Sequence, residues 1–236
     1  MDSAMAFTGL DFFAGFFFLA VWSGFTYVSN GRRFSRVSLN WLMNRERGRW
    51  METMTTRELR VIDTSVLAGL QQGTAFFAST TVFAIGGCFA LMNASDQVIS
   101  VFRSLPVSLP SSRSMFESKS AGLLLIYSYA FFKFGWSYRL QNYCSILVAA
   151  VPLVLNGQAI SEEVKAASKK ALVFNQLAGR HFNAGLRAVF FSIGFMGWFA
   201  GPYLFLGSTI FILAVLARRQ FFSKSRAALL EPGDEG

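Results

Sequence analysis

Thr74 to Met92 (TAFFASTTVFAIGGCFALM) runs without a single charged residue, and three other regions come close to it. About 20 apolar residues, rising about 1.5 Å each, match the roughly 30 Å hydrocarbon core of a bilayer. Leu10 to Val28 carries only Asp11, at its edge. Ala121 to Leu155 is interrupted by Lys133 and Arg139, and Ala188 to Ala217 is uncharged with Gly201-Pro202 near its middle. The 236 residues are 53% hydrophobic and 15% charged, where soluble domains carry roughly 25% charge. The fold class expected is an all-α integral membrane protein, because a spanning segment must satisfy its own backbone hydrogen bonds. One membrane domain over 1–236 is expected: a four-transmembrane-helix bundle with spans over 10–28, 74–92, 121–150 and 188–217, and amphipathic cytoplasmic helices.

The net charge of +9 is concentrated in the connections. Residues 30–72 hold eight arginines against four acids, and 156–187 hold Lys165, Lys169, Lys170, Arg180 and Arg187 against Glu162 and Glu163. The Pro106/Pro110 stretch within 93–120 is poorer in cations. The positive-inside rule places the first two loops in the cytoplasm, and the third loop and the N-terminus outside. Basic residues that flank apolar runs read as a topology signal, so no nucleic-acid partner is expected. Met1 to Leu10 holds Asp2 and no cation, so no cleaved signal peptide is expected. Four crossings leave the basic tail from Arg218-Arg219 to Arg226 outside, against the same rule. A re-entrant hairpin at Gly201-Pro202 would remove the conflict. Its halves, about 14 residues each, are too short to cross separately. One kinked span is therefore expected.

The cytoplasmic loops carry helical signals. Between Ser38 and Asp63, Leu39, Leu42, Met43, Trp50, Met54, Val61 and Ile62 recur at roughly helical spacing among arginines. That pattern fits either a helix in the headgroup layer, or an amphipathic helix packed on the other cytoplasmic loop. Ser161-Glu-Glu-Val starts a second helix, with Ser161 as N-cap and acids in the first turn. Gly179 and Gly185 are expected to loosen its connection to the last span. The tail from Glu231 to Gly236 reads as frayed.

Lys133 and Arg139 are the most informative charges, since intramembrane cations face the bundle interior or a polar path. Six residues at about 100° set them about 120° apart. Arg139 shares a face with Asn142 and Tyr143, and Lys133 shares one with Tyr129 and Trp136. The second helix, extended downward, would bring Asp63 to Arg139. The candidate polar site is therefore Lys133, Arg139, Asn142 and Asp63, with an Asp63–Arg139–Asn142 knot at the inner end. Snorkelling of both cations is the structural alternative.

Cys88 and Cys144 sit in apolar runs as packing thiols. The single His181 has no acid beside it in sequence, and no cluster has metal-ligand spacing. No catalytic residue, cofactor or metal is expected, and small-xxx-small spacings such as Gly69/Gly73 and Gly197/Gly201 read as packing.

Four stretches carry a resemblance. They are Ala130 to Leu147 (AFFKFGWSYRLQNYCSIL), Leu39 to Met51 (LNWLMNRERGRWM), Phe76 to Thr81 (FFASTT), and Ala178 to Arg187 (AGRHFNAGLR) running into Trp198 to Pro202 (WFAGP). Together they resemble the bacterial branch of a membrane-protein family, domain of unknown function five-nine-nine, from about the first span to Arg219. The resemblance implies a multi-span protein of the bacterial inner membrane and no activity. The function expected is a non-enzymatic accessory or assembly partner. Its partners would be the lipid bilayer, anionic headgroups at the basic loops, and other membrane proteins or copies of itself. The alternative is a small oligomeric transporter or channel with an anion- or headgroup-binding site at Lys133 and Arg139.

Overall fold

The computed structural model describes residues 7–30, 38–103, 113–154 and 159–230, and among them every regular element is helical. Arg32, Arg33, Arg36, the Pro106/Pro110 stretch and the tail from Glu231 lie outside the described residues. The long helices are α1 (Gly9–Asn30), α3 (Val61–Asn93), α5 (Arg113–Ala149), α6 (Glu162–Met196) and α7 (Pro202–Phe221). Shorter are α2 (Leu39–Thr55), α4 (Ser95–Arg103) and α8 (Lys224–Ala227).

Helix α5 is the central column, packed between α3 and α6. Among its buried residues, Phe116, Ser120, Leu123, Ile126, Ala130, Phe134, Ser137, Gln141, Cys144 and Val148 step by three or four, and Met115, Lys119 and Leu140 widen the buried stripe beside them. Ser137 Oγ donates to Ala178 O (2.8 Å), and Gln141 Nε2 donates to Thr74 Oγ1 (3.1 Å), tying the column to α6 and α3. One core is aromatic, built on Phe18, Phe134, Phe191, Phe195 and Phe205. A second, of Met51, Met54, Leu67, Cys144, Val148 and Val164, fills the end where α2 packs. Phe12, Phe16, Phe83, Phe132 and Phe211 point outward. Three helices, α1, α3 and the Pro202–Ala227 segment, are long and apolar enough to cross a membrane.

The two ends of the bundle differ. At one end Asp11 accepts from Trp198 Nε1 (2.8 Å) and Thr8 N (3.0 Å), while Lys119 Nζ donates to Trp198 O (2.8 Å). That set joins the starts of α1 and α5 to the α6–α7 turn. At the other end Arg60 donates to Val148 O (3.2 Å), Pro152 O (2.9 Å) and Val151 O, capping the last turn of α5. Arg45 Nη2 there donates to Leu229 O (2.6 Å), which fixes the C-terminal segment beside α2.

The expected single kinked span over 188–217 is not found. Helix α6 ends at Met196, a 3₁₀ turn covers Gly197–Ala200, and Pro202 starts α7 at its first position. Gly201 sits at φ 126°, ψ 164°, a region open essentially to glycine alone. The chain reverses there. Ser208 Oγ donates to Gly194 O (2.6 Å), so α7 runs antiparallel to α6. A proline kink alone would have kept the chain going forward. The halves are also longer than the uncharged run suggested, because α6 spans 35 residues and α7 spans 20. The basic tail therefore lies at the same end as α2, and the conflict over its position disappears.

Helix α2 does not stand apart. It runs antiparallel along the first half of α6, with Ser168 Oγ donating to Met51 O (2.9 Å) and Asn183 Nδ2 to Asn40 Oδ1 (3.1 Å). The packing on the other loop that the sequence allowed is observed. Gly179 and Gly185 do not loosen α6 either. Both lie inside the helix, the Arg47 guanidinium crosses Gly179, and a Cβ on Gly185 would sit 2.7 Å from the Phe134 ring.

Candidate functional site

The four residues proposed from sequence do not assemble. Asp63 is fully buried, where it accepts from Trp50 Nε1 (2.7 Å) and pairs with Arg57. This knot closes the α2–α3 turn. Arg139 faces outward on α5, donating through Nε to Tyr143 Oη (2.7 Å) with Trp136 and Tyr143 rings at 5.9 and 5.5 Å. The Asp63–Arg139–Asn142 knot is therefore absent. Arg57, only six residues from Asp63, is the nearer cation, and the buried α5 stripe turns Arg139 away from α3. Lys133 lies over the Tyr129 ring at 5.1 Å, as its face predicted, whereas Trp136 takes Arg139 instead. Asn142 is half-buried on the same helix. His181 stands edge-on to Trp136 at 6.4 Å.

The residues that converge are others. A cavity of about 740 Å³ opens at the basic end between the last turn of α1, helix α2 and the middle of α6, with Leu70 of α3 at its edge. Its polar lining includes Arg45, Arg47 and Arg180 with the amides of Asn40, Asn44, Gln176 and Asn183, and no acid is among the lining residues. The amides hold the two walls together. Gln176 Nε2 donates to Asn44 O (3.3 Å), and Asn44 Oδ1 accepts from Arg47 Nη1 (3.1 Å). Arg45 stacks over Trp41 at 5.6 Å. Gly179 is what lets Arg47 lie flat against α6, since any Cβ there would collide with the guanidinium. Burial lowers the pKa of Arg47 from its ordinary value, as desolvation disfavours its charge. A planar fork of donors in partly dry surroundings suits a phosphate or carboxylate.

Beside this cavity lies a recess of about 150 Å³, sharing Leu39, Asn40 and Asn183 with it and lined also by Arg187, Arg219 and Gln220. Arg219 caps the Phe190 ring at 5.2 Å. A larger groove of about 950 Å³ between α1 and α5 is walled by Phe18, Leu19, Trp22, Leu125, Ile126 and Phe195. No charged residue lines it, so nothing there would orient an ionic solute. Lys133 and Arg139 line none of these three spaces.

A family model described as "Protein of unknown function, DUF599" matches residues 13–225. The chain belongs to the DUF599 family. No curated protein and no solved structure matches it. In this DUF599 chain, Leu39–Met51 and Ala178–Arg187 are the two stretches that face each other across the basic cavity. Sequence reasoning singled out both without assigning them a role. The missed signal was periodic: Asn40, Asn44 and Arg47 on α2, and Gln176, Arg180, Asn183 and Arg187 on α6, each step by three or four residues. Each set is a polar stripe on one helix face, and the two stripes meet.

Proposed function

We propose that this DUF599 protein is a non-enzymatic multi-pass protein of the bacterial inner membrane whose cytoplasmic end binds the headgroups of anionic lipids. Five helices, α1, α3, α5, α6 and α7, would cross, with the N-terminus outside and α2, the first half of α6 and the C-terminal tail inside. The observation that carries the binding reading is the cavity with three arginines, five side-chain amides and no acid in its lining. Support for its depth comes from helix geometry. Arg180 is 16 residues, about 24 Å, along α6 from its end at Met196, and the 3₁₀ turn to Ala200 brings the span to roughly 30 Å, the thickness of a hydrocarbon core. A cation cluster at that level meets the anionic surface of the cytoplasmic leaflet. Anchoring of this kind suits an accessory or assembly role. Lys133 and Arg139 line none of the three spaces described above, so those spaces lend the transporter reading no support.

The test compares nanodiscs of phosphatidylcholine with and without phosphatidylglycerol, reading retained lipid by native mass spectrometry. Phosphatidylglycerol should be retained selectively, and the Arg45→Gln, Arg47→Gln, Arg180→Gln triple variant should lose that selectivity. Equal retention of both lipids by the unaltered protein would refute the reading.

A further inference from the structure

Arg187 is 5% exposed, and two of its guanidinium nitrogens, Nε and Nη2, are buried without an acceptor among the described residues. Buried charges in native proteins are almost always paired, so a guanidinium left in this condition calls for a missing partner. A third buried donor without an acceptor, Gln220 Nε2, lines the same recess. Asn40 Oδ1, an acceptor on the shared wall, is already taken by Asn183. The recess thus offers donors and positive charge, with Arg219 as a second cation at its edge. Its volume of about 150 Å³ equals the liquid share of about five waters. Arg187 stands seven residues further along α6 than Arg180, or about 10 Å deeper than that arginine.

We infer that Arg187 is the inner seat for a phosphoryl group, which reaches it through the basic cavity and is held by the guanidinium fork and the Gln220 amide. This rests on the cavity's binding an anion and adds the anchoring residue and the ligand class. The phosphoryl group belongs either to a lipid headgroup or to free phosphate. The two sources share the recognition chemistry, namely acceptor oxygens with negative charge against a planar donor fork. A residue kept unpaired for a ligand carries a second signature. Removing it should cost affinity without costing stability, because the empty site holds an uncompensated charge.

The experiment uses the full chain in dodecyl maltoside micelles, which carry no phosphoryl group, with phosphatidylglycerol added in one arm and inorganic phosphate titrated in the other. Bound ligand and the thermal midpoint are both read. Arg187→Met should weaken binding at least tenfold in whichever arm the unaltered protein responds to, and its ligand-free midpoint should be equal or higher. Gln220→Met should weaken binding severalfold, which keeps the test open if Arg187→Met does not fold. A response to phosphatidylglycerol alone identifies the headgroup as the source, and a response to inorganic phosphate alone identifies the free ion. If the triple cavity variant loses binding while Arg187→Met and Gln220→Met bind normally, the cavity reading stands and the seat is wrong. If the unaltered protein responds in neither arm, both are wrong. A ligand-free midpoint well below that of the unaltered protein would show instead that Arg187 is structural.

Discussion

The reversal at Gly201 can be tested by two glycine-to-alanine changes of opposite sign. At Gly197 a new Cβ would fall against Ser208 Oγ and 2.9 Å from the backbone oxygen of Leu204. The hydroxyl can rotate away, but then its bond to Gly194 O is lost. The Leu204 carbonyl belongs to α7 and moves only if the helix moves. Overpacking of this kind costs about 1–3 kcal/mol, and the lost hydrogen bond adds about 0.5–1.5 kcal/mol. Gly197→Ala should therefore destabilise the protein by about 2–4 kcal/mol, less the helix-propensity gain. Gly207 is the control, on the same α7 with nothing within 4 Å of its Cβ position. Gly207→Ala should stabilise by about 0.5–1 kcal/mol, because alanine loses less backbone entropy in a helix. Unfolding by SDS titration in mild detergent measures both. Should Gly197→Ala prove as stable as Gly207→Ala, α6 and α7 are not packed against each other and the turn has been misread.

Gly179→Ala should leave stability unchanged or slightly higher, because Arg47 can swing aside, yet reduce phosphatidylglycerol selectivity severalfold in the nanodisc assay. Unchanged selectivity would remove Arg47 from the site. Arg60→Met strips a charged donor from the carbonyls that end α5 and should cost about 2 kcal/mol by the same unfolding titration; a cost near zero would contradict the cap. At the opposite end, the Arg113 hydrogen bond holds the Glu117 pKa below its ordinary value. The stability this contributes is present above the unfolded pKa of about 4.3 and is lost as pH falls through the lower folded value. Hydrogen-exchange protection in α4, whose Ser95 Oγ donates to Glu117 (3.3 Å), should fall as pH drops across that window, and Glu117→Gln should flatten that fall.

The helical character of the chain was legible because uncharged runs such as Thr74–Met92 admit little else. The helix start at Ser161 was legible too, and its side chain accepts from Val164 N, whereas the matching cap at Ser38 is a finding of the structure. The Gly201 reversal was not. Periodicity and hydropathy are the same for a kink and a hairpin, and the difference rests on one glycine's φ and on contacts across the turn. Counting only uncharged residues also hid the lengths of α6 and α7, because Arg187 and Arg218 lie within them. The candidate site failed for a related reason. Charge within an apolar run drew the eye to Lys133 and Arg139, which rest on neighbouring aromatic rings. The residues that converge lie on two helices far apart in sequence, and a single chain read by itself does not say which polar stripes face each other.

Side-specific labelling of single cysteines tests the topology, in a chain whose native Cys88 and Cys144 are replaced by alanine. An impermeant maleimide would be applied to intact cells and to inverted vesicles, with cysteine at Thr53, Ser118 or Ser225, all exposed. The five-crossing arrangement predicts that Thr53→Cys and Ser225→Cys react only in inverted vesicles and Ser118→Cys only on intact cells. Reaction of Ser225→Cys from the same side as Ser118→Cys would contradict it.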